Sequence, residues 1–453
     1  MNTLRNGFAT KPRKQPLRVA MVAACPFPAN HGTPGAIREL AIALAKQGHE
    51  VHVVTYPHGE DLPVEGLHIH RVSAPFLRPG EIKIGPSLDR LVFDALMVPK
   101  LLEVIREHGI DVIHAHNYEA TIAGALAKFA THVPLVYNGI NNMADELPSY
   151  GFLGSDTIAR LFGKLLDHLV PRSGDALIVL SEELKTYLES LGMPDDKIIV
   201  VPPGVIVEDF SHGDGARARA RHGISAETPL VCYAGALERF QRVDLLVAAM
   251  ARVIEKKPDA RLLLINNIPN ATTRREIEEQ AGALGISKQI IFAESVSLAD
   301  LPDYLAAGDV AVVPRPSCPG FPVKLLNYMA AGKAIVSFEG SAKCLCHGFN
   351  GYVAKNGDSD DLAAGIRLLL DDAALRATLG ERARQSLNGV YDWDTLATAT
   401  ALIYGQVISS GRQLNRRALS GHVKASYTPQ FAQGGRDNPQ GFLQSGPIEY
   451  PSF

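Results

Sequence analysis

The stretch DLPDYLAAGDVAVVPRPSCPGFPVKLLNYMAAGKAIV, residues 300–336, decides how the rest of the chain is read. A short helix leads into the apolar run VAVV. The chain then turns through Gly320, Phe321 and Pro322 and enters a second helix, which Gly332 ends before the run KAIV. Short apolar runs without polar alternation read as strands buried on both faces, the pattern of a parallel sheet. Pro322 suits a first helical turn, where its missing N–H costs nothing. Gly320 lets backbone approach a ligand closely. The stretch is a strand–helix–strand unit with a glycine-bearing turn at the carboxyl end of its first strand.

Outward from this unit the same alternation recurs. LRVAMVAA, HEVHVVTY, LHIHRVS, DVIHAHN, PLVYNGI, DALIVLS and KIIVVPPG read as strands, mostly with helical patterns between them. They compose one doubly wound domain over residues 17–205. The polar, charged segment 206–228 reads as a linker. A second βα series covers 229–375, and helices over 376–411 pack back on the first domain. Residues 1–16 read as a flexible basic N-terminus. Residues 412–453, rich in Gln, Gly, Pro, Ser and Asn, read as disordered. The expected fold class is α/β, two facing Rossmann-like domains with parallel sheets and ligands at the carboxyl ends of the strands.

The 453 residues are 46% hydrophobic and carry a net charge of −3, which argues against a nucleic-acid partner, since duplex binding needs a basic face. Five cysteines, an odd number in a large chain, argue for reduced thiols rather than a disulfide framework. Cys344, Cys346 and His347 lack a second ligand pair at zinc spacing, so no metal site is expected. No run reaches the roughly 18 apolar residues that span a bilayer. The expected location is cytoplasmic. The basic KPRK segment and the apolar helix over 91–105 permit peripheral contact at the inner face of a membrane.

The loops after the strands hold the candidate residues. Gly32, Thr33 and Gly35 lie just before a helix, whose N-terminus favours an anion; the spacing is not that of a dinucleotide fingerprint. His114 and His116 lie two apart on a strand and share a side. Asn138, Asn141, Asn142 and Asp145 follow a buried strand and suit sugar hydroxyls, or equally ordinary turn chemistry. Arg239 and Arg242 stand where a phosphate could be paired. Lys324 and Asn327 share one face of the helix after Gly320.

Taken together, these motifs resemble the retaining GT-B glycosyltransferases of group 1, also called family four. The resemblance covers about residues 17–405 and rests on the order of FPANHGTPGAIRELAIALAKQGHEVHVVT, KIIVVPPGVIVEDF, the opening stretch and YDWDTLATATALIY. It implies transfer of a sugar from a nucleotide diphosphate sugar to a glycan or lipid-linked acceptor with retention, in cell-surface polysaccharide or glycolipid synthesis. It also implies no metal or other cofactor. Under it, Gly320, Phe321, Lys324 and one of Arg239 or Arg242 hold the diphosphate. Asn327 takes the ribose, and Ser295 and Val296 meet the base through backbone. His116, Asn138 and the glycine loop at Gly32, Thr33 and Gly35 face sugar or acceptor.

The chain departs from the family pattern at five polar positions. Ala236 and Gln241 stand where G-R-L-x-x-x-K-G has its cations, Pro319 and Asn327 where E-x7-E has its glutamates, and Ile140 where a histidine is common. Cations and acids are lost together, while the glycines and the turn remain, which favours a rebuilt site over a decayed one. A non-catalytic sugar-nucleotide or glycan-binding protein and a sugar-nucleotide epimerase are the rival readings.

Overall fold

The computed structural model describes residues 16–29, 32–74, 88–150, 154–266, 270–318 and 320–410. The expected disordered tail, residues 412–453, and all but the last residue of the expected flexible N-terminus lie outside this set.

The first domain runs β1 (Arg18–Ala23), α1 (Gly32–Lys46), β2 (Glu50–Thr55), β3 (Leu67–Arg71), α2 (Leu88–His108), β4 (Val112–His116) and α3 (Asn117–Thr131). It continues with β5 (Leu135–Gly139), α4 (Met143–Ser149), α5 (Asp156–Leu169), β6 (Ala176–Val179), α6 (Glu182–Ser190) and β7 (Ile198–Val200). Two short helices follow, α7 (Glu208–Ser211) and α8 (Gly215–Arg221). The second domain runs β8 (Leu230–Ala234), α9 (Val243–Lys256), β9 (Arg261–Asn266), α10 (Ala271–Ala283), β10 (Ile290–Glu294), α11 (Leu301–Ala307) and β11 (Val310–Val313). It then adds α12 (Val323–Ala330), β12 (Ala334–Phe338), β13 (Tyr352–Ala354), α13 (Ser359–Asp371) and α14 (Ala373–Gln385), and α15 (Trp393–Ser410) closes the chain.

Both sheets are parallel, in the orders β3-β2-β1-β4-β5-β6-β7 and β10-β9-β8-β11-β12-β13. Each order reverses once, between β1 and β4 and between β8 and β11, and such a switch point opens a crevice at the strand ends. The central strands are buried from end to end, as their unbroken apolar runs require.

Two expectations are corrected and a third is filled in. The linker 206–228 holds two short helices packed on the second domain. Asp303 of α11 accepts from the Asp214 amide at 2.7 Å and from Arg217 Nε at 2.6 Å, and Arg219 pairs with Asp309. These bonds take up two of the segment's arginines and fasten α8 to the second domain, and Phe210 of α7 is buried in the same core. Of the closing helices only α15 returns to the first domain, where Leu396, Ile403 and Tyr404 are buried with Val19, Met21 and Ile178. Burying each such side chain contributes roughly 1.5–3 kcal/mol. Helix α14 stays on the second domain because Leu375 and Leu379 join its core. The apolar side of α2 is not a membrane face either, since Phe93, Met97, Leu101, Val104 and Ile105 are core residues. The exposed apolar stripe belongs instead to Ile158, Leu161, Phe162, Leu165 and Leu169 of α5, beside Ile122, Leu126 and Phe129 of α3. Among the described residues no helix is long and apolar enough to cross a membrane.

Candidate active site

At the carboxyl end of β8 the chain turns at Gly235, whose φ is +142°. A Cβ there would stand 2.7 Å from Lys324 Nζ, so the glycine keeps open the space that the amine fills. Lys324 lies in the first turn of α12. Its Nζ donates to Tyr233 Oη at 2.7 Å and to Gln241 Oε1 at 2.9 Å, 4.2 Å from the centre of the Tyr233 ring. Tyr233 Oη in turn donates to the Ala236 carbonyl. The amine is enclosed although the residue keeps some exposure, and burial, with Arg315 nearby, lowers its pKa to about 7. Gln241 occupies a lysine position of the family pattern. A second ammonium there would repel Lys324, whereas an amide oxygen accepts from it.

Arg315, after β11, is the second cation of this pocket. Its guanidinium stacks 4.9 Å from the Phe240 ring and its Nε donates to the Ser317 carbonyl. The two arginines expected to hold a diphosphate are engaged elsewhere. Arg239 is 80% exposed and pairs with Glu276 of α10, and Arg242 pairs with its near neighbour Asp244. The cations with access to the pocket are therefore Lys324 and Arg315.

Gly320 marks where the two domains meet. A Cβ on it would stand 2.5 Å from Asn141 Oδ1 and 2.7 Å from the Ile140 carbonyl, both in the loop after β5. Asn141 Nδ2 donates to Glu146 Oε2 at 3.1 Å. The acid-free turn is thus backed by a carboxylate of the other domain, held by Asn141 and Tyr150 and raised in pKa by burial. Glu119 and Arg90 stand 4.0 Å apart in the same region. Lys343 and Glu183 bridge the domains again at 2.9 Å. None of Arg90, Glu119 or Glu146 was expected from sequence, because no local motif marks them. Phe321 packs on Tyr391 and serves the core, so only its backbone is available to a ligand. Pro319, at the first missing glutamate, lies outside the described residues.

In the first domain, β4 and β5 pair His116 with Asn138 at their carboxyl ends. Both side chains are buried, and His116 Nε2 and Asn138 Oδ1 have no partner. A buried polar atom without a partner costs about 1–3 kcal/mol, so each of these two atoms carries a penalty that a hydrogen-bonding partner would relieve. Burial lowers the His116 pKa to about 3, which keeps the imidazole neutral. His114 is anchored by the Tyr404 hydroxyl at 2.6 Å, and its ring lies 4.3 Å from that of His116. Helix α15 therefore props this site from behind.

The remaining candidates divide. Gly32, Thr33 and Gly35 lie inside the first turn of α1, Gly32 with φ +53°. Asn142 caps α4 by accepting from the Asp145 amide, and Asp145 pairs with Arg160, so turn chemistry accounts for both. Asn327 is half-buried one turn beyond Lys324. Ser295 takes a left-handed φ of +56°, while the Val296 amide is bound to the Asn266 carbonyl, which removes it as a donor to a base. Cys344 lies 3.4 Å from Met329 Sδ, and burial pushes its thiol up to about 12.

Residues 214–386 match the family described as Glycosyl transferases group 1, and residues 32–209 match that described as Glycosyltransferase Family 4. The chain belongs to the group 1 glycosyltransferases. The D-inositol 3-phosphate glycosyltransferase of Geodermatophilus obscurus is 28% identical over 414 residues, 88% of this chain and 89% of that one. An uncharacterised glycosyltransferase of Methanocaldococcus jannaschii is 26% identical over 376 residues, covering 81% and 92%. Sucrose-phosphate synthase from Thermosynechococcus elongatus superposes with a TM-score of 0.72 at 21% identity, covering 87% of this chain and 100% of that one. Anabaena HepE, solved in complex with UDP-glucose, superposes with a TM-score of 0.66 at 18% identity over 86% and 99%. These glycosyltransferase neighbours bear out the expected GT-B fold. The family's E-x7-E glutamates are absent from this member.

Proposed function

We propose that this glycosyltransferase takes a sugar from a nucleotide diphosphate sugar and passes it, with retention, to a glycan or lipid-linked acceptor. The observation that carries the reading is the enclosed Lys324 amine in the first turn of α12, beside Gly320 at the seam between the domains. Negative charge that develops on a departing diphosphate there meets Lys324, Arg315 and the helix N-terminus, a preorganised electrostatic arrangement. His116 and Asn138 receive sugar or acceptor hydroxyls from the opposite side. Asn327 takes the ribose, with Ser295 near the base. The cations replace a metal, so added Mg2+ or Mn2+ leaves the rate unchanged.

One likeness supports the donor class, the complex of HepE with UDP-glucose, while the name of the D-inositol 3-phosphate glycosyltransferases supports glycosyl transfer alone. The exposed stripe on α3 and α5 supports an acceptor carried at a membrane, in cell-surface polysaccharide or glycolipid synthesis, by a cytoplasmic enzyme. A panel of UDP-, GDP- and ADP-sugars tests the reading by thermal shift and by release of nucleoside diphosphate with lipid-linked and soluble acceptors. One donor should raise the melting temperature and turn over, with the anomeric configuration kept. Binding without turnover across acceptors would make the protein a sugar-nucleotide binder, and no binding would remove the donor site.

A further inference from the structure

On the β2–β3 edge of the first domain's sheet, four histidines and a glutamate meet from three elements. Partners in the parallel register β2–β3 are His52 with His68 and Val54 with His70, which puts Glu50, His52, His68 and His70 on one face of the sheet. Helix α2 covers that face, and its last residue is His108. The His52 ring lies 4.7 Å from His68, 5.2 Å from His70 and 4.3 Å from His108, centre to centre. We propose that His52, His70 and His108 bind a late first-row divalent cation such as Zn2+, with Glu50 orienting His52 and His68 at the rim.

The hydrogen bonds set the tautomer. A carboxylate only accepts, so His52 Nε2 carries the proton and donates it in a hydrogen bond to Glu50 Oε1 at 2.9 Å. His52 Nδ1 is then a lone pair, 3.0 Å from His70 Nε2. A carboxylate behind an imidazole whose other nitrogen meets a metal is a recurring device that fixes ring orientation and raises basicity. The candidate ligand atoms of His52, His70 and His108 lie within 4.8 Å of one another. Tetrahedral zinc with imidazole ligands holds them about 3.3 Å apart, given Zn–N bonds near 2.0–2.1 Å. His70 and His108 are only half-buried and have room to close that gap, and the solvent side leaves a fourth position for water.

The surroundings suit a cation. The C-terminus of α2 presents its negative dipole end at His108. Burial and the neighbouring imidazoles lower the pKa of His70 to about 4 and also lower that of His52, so both are neutral, the ligating form, at pH 7. Lys100 is the opposing charge, and it is paired with Glu103 at 2.6 Å. Three imidazoles favour Zn2+, Co2+, Ni2+ or Cu2+ over Mg2+ or Ca2+. A bound ion would pin edge strand β3 to β2 and to the end of α2.

The test uses untagged full-length protein, stripped with a chelator and titrated with Zn2+ against a chromophoric chelator. One Zn2+ per chain is expected, and Co2+ should give the intense visible bands of a four-coordinate site. His70→Gln with His108→Gln should weaken Zn2+ at least about 100-fold, and Glu50→Gln about tenfold, the size of second-shell effects. Circular dichroism of the metal-free variants checks that they fold. Stoichiometric binding that survives the double variant would place the ion elsewhere and overturn the assignment. Wild type without Co2+ bands or micromolar Zn2+ binding would overturn it too, and leave a hydrogen-bonded histidine stack.

Discussion

The carboxyl ends of the two sheets face one another but are finished differently. In the second domain the lysine is already engaged: Lys324 is held by Tyr233 and Gln241, and Tyr233 by the Ala236 carbonyl. In the first domain His116 Nε2 and Asn138 Oδ1 are buried without partners. A site that awaits an anion can hold its cation in neutral acceptors until charge arrives. A site that awaits hydroxyls keeps donors and acceptors open. The contrast also bears on the missing acids. The second domain has lost cations and glutamates of the family pattern, yet a lysine, an arginine and a borrowed carboxylate, Glu146, stand around the same turn.

Removing the cation should break the comparison hardest. Lys324→Met keeps the volume and loses the charge-assisted bonds, so the Kd for the nucleotide diphosphate sugar should rise roughly 30- to 100-fold, the equivalent of about 2–3 kcal/mol. Isothermal titration measures it, and unchanged affinity would take Lys324 out of the site. On the other side, His116→Ala should lower kcat about 10- to 100-fold with donor Kd nearly constant, since a neutral imidazole there serves positioning. Steady-state kinetics beside titration separates the two.

A pH series sharpens the contrast. The empty-site pKa of Lys324 is about 7, and an anion favours the protonated amine. Above pH 7 binding must therefore take up a proton, and affinity should fall by up to about tenfold per pH unit until the pKa of the bound state is passed. The diphosphate diester of a nucleotide sugar does not titrate there, so titration in buffers of different ionisation enthalpy reads the uptake directly. His116, already neutral above about pH 3, should add nothing over this range. The smallest effect is expected of Arg239→Ala with Arg242→Ala. Both side chains are solvent-exposed and bound to acids outside the pocket, and such pairs are worth about 0–1 kcal/mol. Donor affinity should change less than twofold, and a tenfold loss would return the diphosphate to these arginines.

The fold was legible because its signals are local and repeated. Unbroken apolar runs such as VAVV and LLLIN can only be strands covered on both faces, and amphipathic helices between them force parallel connections. Lys324 and His116 were legible as candidates because His116 ends a strand and Lys324 lies in the first turn of the helix after one. The arginines show the opposite case. Sequence shows a guanidinium near a glycine turn but not the Glu276 that captures it from another helix. Glu146 escaped notice because its role depends on Asn141 reaching Gly320 across the cleft. The histidine cluster was half visible as His68 and His70, alternating on β3, with His52 on β2, and needed His108, at the end of a long helix, to converge.

The sequence by itself determined two doubly wound units, their order, and the loops where chemistry gathers, because periodicity and glycine placement act over a few residues. Only the tertiary structure decided which polar groups are spent and which are open. That choice depends on burial and on partners tens to hundreds of residues away: Tyr233 and Gln241 for Lys324, Tyr404 for His114, Asn141 for the turn at Gly320. A side chain's charge, tautomer and pKa follow from those neighbours, and no single stretch of chain contains them.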